Sequence, residues 1–338
     1  MMKAEKLHIL ITAPSLNHGK DRCGISSVIQ TIIKNNEKYS YYQSFFPSAL
    51  RKNHIDIVHQ NFLFDPKGIS REYIINQWCR LFRVPVVLHI HGGIVLMDKT
   101  SNNLVKKILK NSKAVIVQSS KEKEFLSRNY QYPDAFILEN CVDVPLFAGI
   151  KKEKQSPSPV FLFMDRIHES KGLNELLEAF KLLKSDHLDF SFILCGDGPL
   201  RKSIVPQFES VLEERFQYLG VVSGRDKLDA IRGADYFLLP SWSEELPLPL
   251  LETMAAGLVP IVTNVGSVNF FVKNGENSIF VEQKNPQDLY QKMKALILNP
   301  DLYKAFSMNA KNTIAERYDI QDYIFQLNFI YEYLWIKR

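Results

Sequence analysis

Eight short apolar runs, rich in β-branched and aromatic residues, recur along the whole chain and alternate with stretches of helical periodicity. The runs are 7-LHILITA-13, 55-IDIVH-59, 84-VPVVLHI-90, 114-AVIVQS-119, 160-VFLFM-164, 190-FSFILC-195, 234-ADYFLL-239 and 259-VPIV-262. Because most of each run is apolar on both faces, the runs are typical of parallel strands covered by helices on both sides. The pattern therefore predicts an α/β protein with doubly wound parallel sheets.

The segment 151-KKEKQSPSP-159 divides the chain into two halves of similar size. It is charged and then rich in serine and proline, which is typical of a linker. We therefore expect two facing doubly wound, Rossmann-like domains, one over residues 1–150 and one over residues 151–318. Residues 319–338 are predicted to form a helix that packs back toward the N-terminal domain. Its packing face is marked by Tyr323, Leu327, Ile330 and Leu334 at helical spacing.

Cysteine usage and hydropathy exclude several classes of protein. The four cysteines, Cys23, Cys79, Cys141 and Cys195, lie far apart and lack the CxxC spacing of a zinc or redox site. They are typical of reduced core thiols in a cytosolic protein. The apolar run 7–13 is shorter than the roughly 20 residues of a membrane span, so it predicts a buried strand. With 338 residues and 46% hydrophobic content, the chain is long and apolar enough to bury a sizeable core.

The charge of the chain is unevenly distributed. Residues 1–150 hold 20 Lys and Arg against 12 Asp and Glu, whereas the remaining residues hold 22 against 25. The basic half is suited to an anionic lipid surface or an anionic acceptor, or it is an ordinary solvated face. Nothing in the charge pattern points to nucleic acid.

The stretch 244-EELPLPLLETMA-255 places Glu244 and Glu252 eight positions apart across a largely apolar spacer. The run 234–239 before it is a predicted strand, and a helix is expected to begin just after Glu244. The free N–H groups and the dipole at a helix amino end attract phosphate. Glu244 lies before this helix and Glu252 about one turn inside it. Two carboxylates so placed suit a ligand made of hexose, diphosphate and ribose.

This region resembles a known enzyme family. The segment 241-SWSEELPLPLLETMAAGLVPIV-262 is similar to the E-x7-E signature of the retaining glycosyltransferases of GT-B architecture, in particular glycosyltransferase family 4, the group 1 family. The segments 86-VVLHIHGG-93, 161-FLFMDRIHESKGLNELLEAF-180, 192-FILCGDGPL-200 and 218-YLGVVSGRDKLDAIRGADYFLLPS-241 extend the resemblance over most of the chain. It implies a nucleotide-sugar donor, linked to uridine or guanosine diphosphate, and no cofactor.

The resemblance also implies roles for individual residues. Glu244 would hold hydroxyls of the donor hexose and Glu252 those of the ribose, while Arg166 and Lys171 would neutralise the diphosphate. The remaining donor contacts are expected from Gly24 near the phosphates, Val222 near the base, and the segment of Leu246, Pro247 and Leu248, whose backbone faces the sugar or phosphate. His91 would contact the transferred sugar.

The implied reaction is retaining and independent of metal. The acceptor hydroxyl attacks from the face that the diphosphate leaves, and the charge of the leaving group is stabilised electrostatically. No DxD triplet is present to hold a divalent cation. Arg166, Lys171 and the helix amino end are therefore expected to replace one, and we assign Glu244, His91, Arg166 and Lys171 as the catalytic residues.

The chain departs from the family pattern at several positions. Asp165 precedes Arg166 where glycine is common, Cys23 precedes Gly24 where a second glycine is common, and Glu245 follows Glu244 in place of a frequent glycine. The interdomain segment is 139-ENCVD-143 rather than Pro-Asn-Gly-Val-Asp. These departures leave open a catalytically weak, nucleotide-sugar-binding subunit of a glycosylation complex. A nicotinamide enzyme is disfavoured because 14-PSLNHGKDRCGISS-27 lacks a GxGxxG turn.

The acceptor is expected to be a glycan or a lipid-linked glycan in the synthesis of a surface polysaccharide. The segment 102-NNLVKKILKNSK-113 forms a basic amphipathic helix, which either rests on anionic lipid or is an ordinary surface helix with its apolar face on the sheet. We therefore expect a cytoplasmic protein, either free or peripheral on the inner face of the cell membrane.

Overall fold

The computed structural model describes residues 6–12, 24–44, 49–50, 54–62, 68–92, 103–150 and 158–336. The chain forms two compact units. Unit 1 comprises residues 1–141 together with 320–338, and unit 2 comprises residues 142–319. The predicted linker residues 151–157, Cys23 and the loop before Gly24 lie outside the described residues.

Unit 1 contains a parallel sheet with the strand order β2-β1-β3-β4-β5-β6 within the described residues. The strands are β1 His8–Thr12, β2 Ser40–Gln43, β3 Ile57–Phe62, β4 Val86–Ile90, β5 Ala114–Val117 and β6 Phe136–Ile137. The helices are α1 Gly24–Asn35, α2 Ile69–Leu81, α3 Asn103–Asn111, α4 Ser120–Tyr130 and, from the far end of the chain, α12 Ile320–Ile336.

Unit 2 contains a second parallel sheet, with the order β12-β11-β10-β7-β8-β9. Its strands are β7 Val160–Met164, β8 Ser191–Cys195, β9 Phe216–Gly220, β10 Tyr236–Leu239, β11 Val259–Thr263 and β12 Ile279–Val281. Its helices are α5 Val144–Ala148, α6 Leu173–Ser185, α7 Arg201–Leu212, α8 Gly224–Arg232, α9 Leu248–Ala255, α10 Pro286–Leu298 and α11 Asp301–Arg317. The prediction of two doubly wound α/β domains is confirmed.

An aromatic cluster fixes the sheet of unit 2 against its helices. Phe180 of α6 packs on Phe192 of β8 with ring centroids 4.6 Å apart, and Phe208 of α7 lies 5.2 Å from Phe192. All three rings are fully buried. Burial of each such side chain stabilises the fold by about 1.5–3 kcal/mol. The strands that carry the loops described below therefore have a rigid base.

The division between the units differs from the predicted one at residue 150. Residues 142–150 belong to unit 2 because Phe147 of α5 is 3% exposed and packs there, with the ammonium of Lys227 5.5 Å from its ring centre. Asp319 forms a bridge with Val142, so it also belongs to unit 2.

Helix α12 belongs to unit 1. Tyr323, Leu327, Ile330 and Leu334, the predicted packing face, are buried. Tyr331, one position beyond Ile330, is fully buried and its hydroxyl lies 2.6 Å from His59 Nδ1 of β3. The Asn36 amide that follows α1 donates to Asn328. The opposite side of α12 carries exposed aromatic residues, with Phe325 76% exposed and Phe329 59% exposed.

Helix α3, the basic amphipathic helix, turns its apolar face inward. Val105, Ile108 and Leu109 are at most 2% exposed and pack in the core of unit 1. Of the two alternatives for this segment, the structure therefore shows the ordinary surface helix. Its lysines, Lys106, Lys107 and Lys110, are exposed. None of the described helices is both long and apolar enough to cross a membrane.

Candidate functional site

The loops at the carboxyl ends of β7 and β10 carry three of the predicted site residues. Arg166 and Lys171 follow β7, and Glu244 follows β10. Since β7 and β10 are parallel neighbours, these loops lie side by side at one edge of the sheet. This is the edge at which open parallel sheets bind their ligands.

Lys171 joins two carboxylates at this edge. Its ammonium donates to Glu244 Oε1 over 2.6 Å and to Asp165 Oδ2 over 2.7 Å. The Glu244 side chain is 6% exposed, whereas those of Lys171 and Asp165 are 16% and 18% exposed. The two predicted residues Lys171 and Glu244 are thus in direct contact, and Asp165, noted from the sequence only as a departure, completes the group.

Burial and neighbouring charges shift the pKa values of this group. Burial raises the pKa of Glu244 and Asp165 raises it further, while Lys171 acts in the opposite direction, so the net shift is upward. Burial lowers the pKa of Lys171, but Asp165 and Glu244 together outweigh burial and the net pKa is raised. Lys171 therefore stays protonated at neutral pH, and its charge is shared between two acids.

Two close backbone approaches hold the Glu244 loop in place. Gly266, after β11, has φ +60°, and a Cβ there would lie 1.6 Å from the carbonyl oxygen of Glu244. Gly172 has φ +74°, and a Cβ there would lie 2.2 Å from the carbonyl oxygen of Pro240. Only glycine fits both the backbone conformation and the space. The loops after β7, β10 and β11 are thus packed backbone to backbone around Glu244.

Helix α9 begins at Leu248, shortly after Glu244, as the sequence predicts. Pro247 precedes it in an extended conformation, with φ −68° and ψ 115°, and no side chain caps the helix. Proline is well tolerated in the first turn of a helix, where the backbone N–H groups have no intrahelical partner, so Pro249 fits as the second residue of α9. Leu246, Pro247 and Leu248, the predicted donor segment, are buried at this amino end.

Glu252 lies in α9 and forms a second buried ion pair. Lys227, in the first turns of α8, donates to Glu252 Oε1 over 2.5 Å. The side chains of Glu252 and Lys227 are 7% and 19% exposed. Lys227 was not predicted, because 224-GRDKLDA-230 has the pattern of any polar helix start.

Arg166 is the more open of the two predicted cations. It is exposed, and among the described residues no acidic side chain pairs with its guanidinium. Asp165 instead accepts a hydrogen bond from the backbone N–H of Arg166 over 2.6 Å. Val222 lies in the loop between β9 and α8 at the same edge, partly exposed. The site therefore offers one open guanidinium beside a neutralised ammonium.

His91 lies in unit 1, directly after β4, and is 5% exposed. Its Nε2 lies 2.7 Å from Asn61 Oδ1, and its Nδ1 lies 3.1 Å from Gln118 Nε2. The Asn61 amide group donates to the Thr12 carbonyl, which orients Asn61 Oδ1 as an acceptor. His91 therefore carries its proton on Nε2 and accepts from Gln118 at Nδ1.

Two further histidines stand beside His91. The ring of His89 stacks on that of His91 with centroids 3.9 Å apart, and His59 Nε2 lies 3.1 Å from His89 Nδ1. Burial lowers the pKa of His59 and of His91 to about 3. The three buried rings form a neutral network inside unit 1. Neither His59 nor His89 is distinguished by the sequence, because each lies within an apolar strand run.

Gly24 opens helix α1 of unit 1. Among the described residues, no cluster of three or more His, Cys, Asp or Glu is arranged to hold a metal ion. Within unit 2, the arrangement combines an open guanidinium for an anion with two lysine-anchored carboxylates, whose remaining oxygens are suited to accept hydroxyl groups.

Two family models match the chain. Residues 7–145 match the model described as Glycosyltransferase Family 4, and residues 149–313 match the model described as Glycosyl transferases group 1. The two matched segments meet close to the boundary between the units.

Among curated proteins, an uncharacterized glycosyltransferase of Methanocaldococcus jannaschii is 28% identical over 286 residues, which are 83% of this chain and 76% of the relative. The UDP-Gal:alpha-D-GlcNAc-diphosphoundecaprenol alpha-1,3-galactosyltransferase of Escherichia coli is 27% identical over 304 residues, again 83% of this chain and 76% of the relative.

Solved structures share the fold. A glycosyltransferase from Rickettsia africae superposes with a TM-score of 0.73 at 20% identity, covering 97% of this chain and 98% of its own. The Anabaena protein HepE, in complex with UDP and glucose, superposes with a TM-score of 0.74 at 16% identity, covering 96% of this chain and 99% of its own.

Proposed function

Because the chain belongs to the group 1 and family 4 glycosyltransferases and has the GT-B fold, we propose that it transfers a hexosyl group from a nucleotide-diphosphate sugar with retention of configuration. The observation that carries this proposal is the Lys171–Glu244 ion pair, together with the exposed Arg166 that directly follows Asp165, the second partner of Lys171. A buried carboxylate suits sugar hydroxyls, and an open guanidinium suits a diphosphate.

In the proposed complex, each side chain has a distinct task. Arg166 binds the diphosphate in a bidentate manner and Lys171 adds a second positive charge, while Glu244 accepts hydroxyls of the hexose. Glu252, held by Lys227, accepts ribose hydroxyls, and Val222 contacts the base through its backbone. The amino end of α9 adds its dipole next to the phosphates.

The reaction follows from the charge that develops as the glycosidic bond to phosphate breaks. Negative charge grows on the leaving diphosphate, and Arg166 and Lys171 stabilise it. The acceptor hydroxyl attacks from the same face and passes its proton to the departing phosphate oxygen. His91, neutral and fixed by Asn61 and Gln118, contacts the transferred sugar in this proposal.

The proposed acceptor is a glycan or a lipid-linked glycan of a surface polysaccharide, used at the inner face of the cell membrane. The name of the E. coli relative gives a diphosphoundecaprenol-linked sugar as its acceptor, which supports this class. The basic character of residues 1–150 is suited to such an anionic acceptor.

A screen of nucleotide sugars tests the proposal. We expect one uridine- or guanosine-diphosphate sugar to raise the Tm and to release nucleoside diphosphate, with an α-linked product detected by NMR. Arg166→Ala should lower kcat/KM about a hundredfold or more. Arg232→Ala changes a partly exposed arginine paired with Asp229, and this control should leave kcat/KM unchanged.

One observation favours a second candidate. Asp165 occupies Lys171 and competes with a diphosphate for its charge. If the donor raises the Tm but neither nucleoside diphosphate nor product forms with any acceptor, the chain is a nucleotide-sugar-binding subunit rather than an active transferase.

A further inference from the structure

Unit 1 contains an apolar pocket of about 470 Å³ between helix α2 and strands β1 and β3. Its walls include Leu10, Val58, Ile74, Ile75, Trp78 and Cys79. Ligand pockets usually measure about 300–1,000 Å³, whereas protein interiors leave few voids larger than a water molecule. The pocket therefore has the size of a ligand site rather than of a packing defect.

The rim of the pocket is apolar and exposed. Ile74 and Trp78 are wall residues, yet they are 55% and 41% exposed. Leu81 and Phe82, at the end of the same helix, are 76% and 37% exposed. Four large apolar side chains along one surface helix form a patch that marks an interaction site. This patch continues the apolar wall of the pocket to the surface.

The surroundings of the pocket are strongly basic. The stretches 68–92 and 103–113 together hold three arginines and four lysines but a single carboxylate, Glu72. Glu72 is buried and paired with Arg71, which lines the pocket and whose side chain is 59% exposed. Lys107 of α3 lies 5.9 Å from the ring centre of Tyr73, so this lysine lies against α2, the helix that forms one wall of the pocket. An apolar pocket inside a positive surface is complementary to a hydrocarbon chain with an anionic head group.

We propose that this pocket binds one hydrocarbon chain of an amphiphile whose anionic head group lies against Arg71 and the neighbouring cations. This inference rests on the proposed function, because it identifies the amphiphile as the lipid-linked acceptor. It also assigns recognition of the lipid to α2 and the pocket beneath it. Helix α3, whose apolar face is buried, contributes charge alone.

Binding of n-alkyl phosphates without any donor tests the pocket itself. Hexyl to dodecyl phosphates are titrated below their critical micelle concentrations, and isothermal titration calorimetry measures binding. Affinity should rise about fourfold for each methylene, the equivalent of about 0.8 kcal/mol, and should level off once the pocket is full. An affinity that keeps rising with chain length and reaches no plateau would overturn the proposal, and so would the absence of saturable binding.

Two variants separate a bounded pocket from adsorption to the surface. Ser44 also lines the pocket, so Ser44→Phe places a ring in it and should weaken decyl phosphate binding at least tenfold and hexyl phosphate binding much less. Ile74→Ser at the exposed rim should weaken both about fivefold. The matched control is Ile137→Ser, because Ile137 is 39% exposed on β6 at the other edge of the same sheet. Equal losses in Ile137→Ser and Ile74→Ser would contradict a role for the pocket.

An activity measurement distinguishes failure of this inference from failure of the proposed function. With the donor found by the screen, transfer to acceptors of increasing alkyl length is compared with nucleoside diphosphate release in water alone. Ser44→Phe should raise KM at least tenfold for long-chain acceptors and leave release in water unchanged. Turnover that does not depend on chain length would overturn the pocket and leave the transferase intact. If no nucleoside diphosphate is released under any condition, the proposed transferase activity is wrong. The alkyl phosphate titration would still show whether the pocket binds a hydrocarbon chain.

Discussion

The ammonium of Lys171 lies 2.6 Å from Glu244 Oε1 and bonds at the same time to Asp165. Two acids therefore share one base in a group that is at most 18% exposed. Glu244 needs this cation because burial alone raises its pKa. Asp165, in contrast, adds negative charge where the proposed ligand is itself an anion. Replacing Asp165 therefore tests directly whether the site binds a diphosphate.

Replacing Asp165 by Asn should strengthen the binding of nucleoside diphosphate. Without this carboxylate, Lys171 has more of its charge available to the diphosphate, and the repulsion between Asp165 and the diphosphate is gone. We expect the binding free energy to improve by about 1 kcal/mol, which is fivefold in Kd. Isothermal titration calorimetry with UDP and GDP measures it. The control is Asp186→Asn, which removes a carboxylate paired with Lys294 elsewhere in unit 2. Weaker binding in Asp165→Asn alone would show that Asp165 supports the anion site.

Gly266→Ala should abolish most transfer activity while the protein still folds. A Cβ at this position meets the Glu244 carbonyl oxygen at 1.6 Å, so the Glu244 loop must move. A displacement of about 1 Å costs about a hundredfold in rate. Gly275→Ala is a matched control because Gly275 also has a positive φ, +77°, but open space around its Cβ position. Equal kcat/KM values for the two variants would mean that the contact does not position Glu244.

Glu252→Ala should lower the free energy of unfolding by about 2–3 kcal/mol, measured by denaturant titration without ligand. The substitution leaves Lys227, 19% exposed, without its counter-ion. Glu178→Ala breaks the exposed pair with Lys181 and should cost less than about 1 kcal/mol. Adding Lys227→Met to Glu252→Ala should restore part of the loss. If the two single glutamate variants lose the same stability, burial of the Glu252 pair is not what stabilises it.

The free energy of unfolding should fall as the pH decreases below about 6.5. The pKa of His59 and that of His91 are each about 3 in the folded protein, against 6.5 ordinarily. Between these values the unfolded chain binds protons that the folded chain does not. Each histidine then removes up to about 1.4 kcal/mol per pH unit, and above pH 6.5 neither contributes.

Denaturant titrations from pH 7.5 to pH 5 check this dependence. His59→Gln should reduce its slope, because one of the buried rings is gone, whatever the variant does to stability at pH 7.5. His54→Asn, at an exposed position, should keep the slope of the unmodified protein. An unchanged slope in His59→Gln would show that His59 does not contribute to it.

Secondary structure was predicted best for segments that are buried on every side. Runs such as 160–164 and 234–239 are strands because both of their faces are covered by helices. Four strands lie outside the eight predicted runs, since β2 and β9 are partly exposed and β6 and β12 have only two and three residues. The eight-residue spacing of Glu244 and Glu252 led to the site. The partner of Glu252, Lys227, comes from a different helix, so no local pattern reveals it.

The amphipathic pattern of residues 102–113 was also ambiguous, because it depends on packing partners that lie elsewhere in the chain. Helix α3 has the composition of a lipid-binding helix, but such a composition also fits a helix that covers a sheet. Only the packing of Val105, Ile108 and Leu109 decides between them. Likewise, the family resemblance singles out His91, whereas its tautomer depends on Asn61 and Gln118, which come from other strands and loops.

The contact between His59 and Tyr331 joins residues 272 positions apart. A ribosome therefore delivers all of unit 2 before it delivers the helix that covers one face of the first sheet. Until residues 320–336 emerge, the nascent sheet of unit 1 exposes the apolar side that Leu327, Ile330 and Tyr331 later cover. Unit 2 is free to fold during that interval, so the half of the molecule translated first is the half completed last.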